Sequence, residues 1–375
     1  MPAAGLGISP LVRDRRAAAW VGRLYQDAEA CAAAADLVHV CLDEEPGITR
    51  RRQGRGFSYH DAQGRLVTDP ATKARIAALA IPPAWSGVWI CAHENGHIVA
   101  TGEDERGRRQ YLYHERWRAL RDALNFHRLV IFGDALPTVR GYVETQLRRR
   151  TLDRDRVLAA ALRIVDLSAV RIGNEVYAEE NDSFGLTTLT RRHVQVHDGR
   201  IHLSFPAKSG KRADLVVEDR PAARVIAELA QRRHRRLFTV DGHAVDAAEV
   251  NALLERLTGE HVTAKDFRTW NATRAAFAHL EERLEADDAP EAVVLAAVDA
   301  AAEVLGDTRA VARAHYVHPG VLEAFADGTL RERRRVRGRR EPLLAPVERR
   351  LLAFLEATLD QERDQAGLGF SSTLV

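Results

Sequence analysis

Lysine is nearly missing from this chain. Only Lys73, Lys208, Lys211 and Lys265 occur among 55 basic residues, the rest being arginine. Such a skew reflects a bias toward arginine codons, which turns most basic positions into arginine wherever either cation serves. Each surviving lysine is therefore a candidate for work that arginine cannot do. Arginine does not give up a proton near neutral pH and lysine does, so a site needing a cationic proton donor is one place where the replacement fails. Cysteine is scarce too. Cys31, Cys41 and Cys91 are an odd number, widely spaced, with no Cys-x-x-Cys pair and no histidines at zinc spacing, so structural thiols are expected rather than a metal site. No run approaches the ~20 apolar residues needed to cross a bilayer, and the N-terminus lacks the basic-then-apolar layout of a secretory leader. A cytoplasmic location with no membrane partner is the expectation.

What is present is a chain of 375 residues, 46% hydrophobic, long enough for two domains of ~100–200 residues each. Its net charge of +2 averages over strong local asymmetry. Arg50, Arg51, Arg52 and Arg55 form one basic cluster, residues 148–150 a second and residues 331–340 a third, while residues 281–303 are acidic. One charge run is ordinarily a solvated face; several basic clusters along a near-neutral chain suit a polyanion held from more than one side.

The alanine-rich stretch 17–42 has helical spacing, and residues 49–113 change to short strands, with hairpins expected over 57–67 and 88–100. After His114 the pattern is helical, at 117–123, at 136–147 with Pro137 near the start, and at 154–166. One β excursion comes next: 193–197, an Asp198-Gly199 turn, 201–205, then 215–217, with Lys208 on or beside the next turn. Helices resume at 221–235, 247–257, 264–284 and 289–305, before an exposed basic linker at 331–340 and a short helix at 346–359. There is no internal repeat. The fold class is α+β: residues 1–115 form a small β-rich domain with a helical N-terminal extension, 116–330 a larger, mainly helical domain containing a small β-sheet, and 331–375 a basic tail.

Four segments carry chemistry: Arg171-Ile172-Gly173-Asn174-Glu175, Pro206-Ala207-Lys208-Ser209-Gly210-Lys211, Lys265-Asp266-Phe267-Arg268-Thr269-Trp270-Asn271-Ala272, and Leu305-Gly306-Asp307-Thr308 running on to Tyr316-Val317-His318-Pro319. Singly, each has an ordinary explanation as surface ion pair, solvated turn or packing. Together and in this order they resemble the active-site boxes of type IB DNA topoisomerases of the poxvirus and bacterial kind. The resemblance also takes in residues 48–57, 81–90, 107–113 and 184–190.

The resemblance implies the tyrosine recombinase/topoisomerase IB catalytic fold, a C-shaped clamp around double-stranded DNA, and a monomer associated with the nucleoid and needing no cofactor. It implies that Tyr316 attacks the phosphorus to give a 3′-phosphotyrosyl link, that Arg171 and Arg268 stabilise the charge on the non-bridging oxygens, and that Lys208 is the general acid. Lys265 is a second cation, to contact the scissile phosphate, to assist proton transfer, or to meet the backbone phosphates alone. In the segment resembling the family's DNA contact near the cleavage site, Arg108 and Arg109 supply charge, and Gln110, Tyr111 and Tyr113 can bond phosphates or base edges.

One position departs from the pattern. Nine residues before the tyrosine the family carries a histidine, or often asparagine in bacterial members, donating to a non-bridging oxygen; here it is Asp307. An ionised carboxylate has no proton to donate. Three readings stay open: a protonated carboxyl beside the anion, a carboxylate that orients an arginine, or a slowed enzyme. The rival assignment is a tyrosine recombinase, which shares the chemistry but carries His-x-x-Arg at the second arginine, where this chain has Lys265-Asp266-Phe267-Arg268. A catalytically dead DNA-binding protein is the non-enzymatic alternative, with Asp307 as its support. A type IA enzyme would need a clustered acidic metal site, and Asp153-Arg154-Asp155 does not resemble one.

Overall fold

The computed structural model describes residues 25–42, 44–175, 178, 182–232, 234–286, 288–333 and 341–365. Among these the chain divides into two compact units, one ending at Asn125 and the other beginning at Phe126. The division falls ten residues beyond the expected boundary at 115, inside a helix.

The first unit starts with α1 (Ala28–Ala34), capped by the Asp27 carboxylate, which accepts the Ala30 N–H at 2.9 Å. The helix expected over 17–42 is shorter at its C-terminal end, because Asp36 turns left-handed at φ 54°. Residues 17–24 lie outside the described residues. Next come β1 (Ile48–Gln53), β2 (Gly56–His60), α2 (Pro70–Ala78), β3 (Ser86–Ile90), β4 (Ile98–Glu103) and β5 (Arg109–Tyr113). The strands form one antiparallel sheet in the order β2-β1-β3-β4-β5. Its register sets Ile48, Ile90, Ala100 and Leu112 in one cross-strand row, and α2 adds Ile76 to that small core. The alternate row, Thr49, Trp89, Thr101 and Tyr111, lies on the opposite face, as the two-residue period of a strand requires.

The hairpin expected at 88–100 is β3–β4. The one expected at 57–67 forms with a short returning arm: besides pairing with β1, β2 is met by residues 65–67 through the antiparallel bridge His60–Leu66, the Asp61 N–H to Arg65 carbonyl bond and the Val67 N–H to Tyr59 carbonyl bond, each at 2.9 Å. Asp61 explains the turn, accepting the N–H groups of Gln63 and Arg65 at 3.0 and 2.9 Å. Arg50 is also not a free cation. It donates to the carbonyls of Ile81, Pro82 and Trp85 and lies 4.2 Å above the Phe57 ring, which leaves Arg51, Arg52 and Arg55 as the exposed members of that cluster.

In the second unit, α3 (Glu115–Leu147) is one helix of 33 residues, of which the part from Phe126 onward belongs here. Two shorter helices were expected. Pro137 lies within α3 and lacks the N–H that would bond the Gly133 carbonyl, yet the helix continues on both sides. Gly133 has its own reason: a Cβ there would come within 2.8 Å of the Trp270 ring and 2.9 Å of Leu352. After α4 (Arg154–Ser168) comes the three-stranded sheet β6 (Val194–His197), β7 (Arg200–Pro206) and β8 (Arg212–Glu218), in that order. The β6–β7 turn has Asp198 at φ 49° and Gly199 at φ 77°, the double positive φ of a tight hairpin.

The chain continues as α5 (Arg220–Gln231), the short pair β9 (Thr239–Val240) and β10 (His243–Ala244), α6 (Ala247–Thr258), α7 (Ala264–Glu282), α8 (Pro290–Leu305), α9 (Arg309–His315), α10 (Pro319–Ala326), α11 (Thr329–Arg333) and α12 (Pro346–Gln365). Asp153, Asp219 and Asp246 cap α4, α5 and α6 through their carboxylates. The centre is α7, buried on most of its circumference by Phe267, Trp270, Ala272, Ala276, Phe277 and Leu280.

The helix expected at 346–359 within a basic tail runs on to Gln365, and it is a core element. Leu351, Leu352, Phe354 and Leu355 are buried, with the Phe354 ring 5.7 Å from Phe277 of α7. Residues 334–340 of the expected basic linker lie outside the described residues.

Candidate active site

Ala169, left-handed at φ 52°, ends α4 and turns the chain so that the next residues run beside 185–188. Leu186 and Thr187 donate to the carbonyls of Arg171 and Ile172, each at 2.8 Å. Two glycines allow this approach: a Cβ on Gly185 would fall 2.4 Å from the Gly173 Cα, which itself sits at φ +102°. Any side chain at Gly185 would displace the segment that carries Arg171.

From the other side, α8 ends at left-handed Gly306, and the Asp307 N–H bonds the Ala302 carbonyl at 3.1 Å. Thr308 caps α9, and Tyr316 comes just after its last turn, with its N–H bonded to the Ala312 carbonyl at 3.0 Å. Thr273 of α7 pins this end: its hydroxyl donates to the Tyr316 carbonyl at 3.0 Å and accepts the His318 N–H at 3.1 Å. Nothing in the sequence singles Thr273 out, because its work is done on backbone atoms.

These elements bring Arg171, Arg268, Asp307 and Tyr316 together. Arg171 Nη2 donates to both Asp307 oxygens, at 2.8 and 2.9 Å, and Arg268 Nη2 to Asp307 Oδ2 at 2.7 Å. Arg268 is further fixed by the carbonyls of Ala169 and Leu305, and its guanidinium carbon lies 5.0 Å from the centre of the Tyr316 ring. Its side chain is 5% exposed, against 12% for Asp307 and 32% for Arg171. Burial and then the like charge of Arg171 push the Arg268 guanidinium down from its ordinary value, while Tyr316 and Asp307 pull it back. Of the three readings of Asp307, the geometry displays the orienting one, with two arginines held instead of one.

The lysines are not bonded to this cluster. Lys208 is exposed on the single 3₁₀ turn between β7 and β8, closed by the Ala207 N–H to Lys211 carbonyl bond at 2.7 Å. Lys265 is exposed on the first turn of α7. Neither makes an ion pair or side-chain hydrogen bond with the described residues.

In the first unit, Arg109, Tyr111 and Tyr113 alternate on the exposed side of β5. The two tyrosine rings stack with centroids 6.0 Å apart, and Tyr113 stacks in turn on Trp117 at 6.3 Å. Arg108 and Gln110 differ, since both donate to Asp104, at 2.9 and 3.0 Å. The hydrogen bonds from Arg108 draw the Asp104 carboxyl down to about 2.

Beyond Tyr316 lies a histidine pair. His318 Nδ1 accepts the Gly320 N–H at 3.1 Å at the start of α10, its ring meets Phe126 edge-on, and His127 Nδ1 is buried without a hydrogen-bond partner among the described residues. Burial lowers His127 to about 4; burial and then the charge of His127 lower His318 to about 3. Both folded values are below the unfolded value near 6.5, so the unfolded chain takes up these protons first. Stability is complete above about pH 6.5 and falls as pH drops toward the folded values, by about 1.4 kcal/mol per pH unit per histidine. Urea unfolding at pH 7.0, 5.5 and 4.5 should give steadily lower midpoints, with a shallower fall in His127→Gln. Equal slopes in the two proteins would remove the histidines from the explanation.

Residues 114–336 match the family described as eukaryotic DNA topoisomerase I, catalytic core, and residues 56–104 match the N-terminal domain of bacterial DNA topoisomerase IB. The chain belongs to the type IB DNA topoisomerases. DNA topoisomerase 1B of Acanthamoeba polyphaga mimivirus is 31% identical over 235 residues, covering 60% of this chain and 70% of the viral protein. DNA topoisomerase 1B of Vaccinia virus (strain Copenhagen) is 21% identical over 239 residues, covering 61% and 73%. Among solved structures, a chain of the XerH site-specific recombinase bound to palindromic difH substrate covers 48% of this chain and 47% of its own at 16% identity, with a TM-score of 0.32, too slight a likeness to carry weight. Family membership thus extends over the catalytic core and the β-sheet unit alike.

Proposed function

We propose that this type IB topoisomerase relaxes supercoiled DNA by cutting one strand through Tyr316, letting the free end swivel and resealing the break. The observation that carries the reading is the cluster itself: two guanidiniums converging on one oxyanion position beside a tyrosine ring. A phosphodiester under attack spreads negative charge over its non-bridging oxygens, and fixed guanidiniums in a desolvated site stabilise that charge most. Tyr316 supplies the nucleophile. The new bond is a 3′-phosphotyrosyl ester, and the bond broken is the one to the 5′-oxygen, which leaves as a hydroxyl once Lys208 has given it a proton. The exposed position of Lys208 on its turn, without an ion pair among the described residues, suits a group that meets its partner on DNA. Resealing is the reverse attack. The phosphoester energy is kept in the tyrosine link, so no ATP is needed.

Arg109, Tyr111 and Tyr113 on β5 present charge and stacked rings for duplex contact, and Lys265 offers a further cation. A monomeric enzyme in the cytoplasm, associated with the nucleoid, belongs to the same proposal. The test is incubation of the purified chain with negatively supercoiled plasmid in EDTA without ATP. Relaxation is expected; plasmid left fully supercoiled across a range of salt concentrations would sink the reading.

A further inference from the structure

We infer that Asp307 is an internal occupant of the phosphate site: its carboxylate sits where Arg171 and Arg268 would bind a phosphodiester, keeps small free oxyanions out, and gives way only to phosphate delivered on duplex DNA. The inference rests on the reading of the two arginines as the scissile-phosphate site.

Three observations carry it. First, one carboxylate answers both guanidiniums at 2.7–2.9 Å, the pattern that a tetrahedral oxyanion would make with the same donors. Second, Arg268 is buried, and Arg171 acts on it as a repelling charge. Two cations so placed need an anion between them, and here the chain supplies it. Third, Arg268 Nε is buried with no hydrogen-bond partner among the described residues, although Asp307, Ala169, Leu305 and Tyr316 engage the rest of the guanidinium.

Charge counting then separates the two classes of anion. With Asp307 in place the three side chains sum to a single positive charge, and an arriving phosphate must either displace the carboxylate or lie against it. Inorganic phosphate brings nothing to offset that repulsion. A phosphodiester within a duplex brings its other contacts, so it can displace the carboxylate where a free ion cannot. A neutral asparagine at this position would leave both positive charges unanswered and the site open to simple oxyanions.

The measurement is a titration of the full-length chain with inorganic phosphate against chloride at fixed ionic strength, read by calorimetry and by melting temperature. Asp307→Asn should bind phosphate saturably and at least about tenfold more tightly than the wild type. Adding Arg268→Gln to that variant should remove the gain. Equal phosphate affinity in wild type and Asp307→Asn overturns the inference, and so does a gain that survives loss of Arg268. If Asp307→Asn does not fold, the wild type decides: saturable phosphate binding that Arg171→Ala abolishes would mean that the site is open with the carboxylate present, whereas no such binding upholds the occupant. The titration involves neither DNA nor tyrosine chemistry, so its failure leaves plasmid relaxation standing, and a failure of relaxation leaves the phosphate result unchanged.

Discussion

Tyr316→Phe should fold as the wild type does, leave supercoiled plasmid untouched and lower single-turnover cleavage by at least about 10⁴-fold, the scale on which loss of a nucleophile is felt elsewhere. The expectation of unchanged folding comes from what the substitution keeps. The backbone of residue 316 is held by Ala312 and Thr273, and the ring keeps its place by the Arg268 guanidinium. Only one oxygen is removed, together with its hydrogen bond to the Arg268 guanidinium, so stability should fall by no more than about 0.5–1.5 kcal/mol. The proposed chemistry also fixes which DNA end is captured. When a duplex reaction is stopped with detergent, a label on the 5′ end of the cut strand should travel with the wild-type protein, and a label on the 3′ end should not. Covalent trapping by the Phe variant, or capture of the 3′-labelled fragment, would move the nucleophile or reverse the polarity.

The residues of this site are legible in the sequence to different degrees, and the differences have physical causes. Arg171, Arg268 and Tyr316 can be read because anion chemistry restricts the side chains allowed and the family boxes hold them in a fixed order. Asp307 can be flagged but not assigned, since whether a carboxylate is protonated, idle or paired depends on distances that no spacing encodes. The structure supplies its partners, Arg171 and Arg268, which the turns at Gly306 and Ala169 help to bring to it. Charge identity misleads in two places. Arg50 reads as part of a polyanion-binding cluster, and it is tied to three carbonyls; Arg108 reads as free charge, and Asp104 answers it. A linear pattern shows the charge of an arginine but not its partner. Period-two alternation locates β3, β4, β6 and β7 well, and at 57–67 it finds the turn, where Asp61 closes a tight bend and only residues 65–67 pair back on β2.

The C-terminal helix α12 is the element least legible, and its buried charge gives the second large prediction. Glu348 reads as one more surface residue beside Arg349 and Arg350, yet it is 1% exposed and accepts four hydrogen bonds: two from Arg140 at 2.7 and 2.8 Å, one from the Ala345 N–H at 2.7 Å and one from the Trp270 indole at 3.1 Å. Arg140 in turn makes two bonds to Asp166, so the network joins α3, α4, α7 and α12. Burial alone would raise the Glu348 carboxyl, but Arg140 and the other donors hold it below its ordinary value. Its contribution is therefore present above the unfolded carboxylate range and lost as pH falls through the folded value. Glu348→Ala removes the anion and leaves Arg140 half-answered and the Trp270 N–H without a partner, a combination that costs about 3–5 kcal/mol. Against a typical total of about 5–15 kcal/mol, the urea midpoint should fall steeply. Relaxation should weaken with it as temperature rises, because Trp270 sits two residues from Arg268 on α7. A midpoint within error of the wild type would show that α12 is attached to the core without bracing it, and that the apolar contacts of Leu351, Leu352 and Phe354 hold the helix without the charge network.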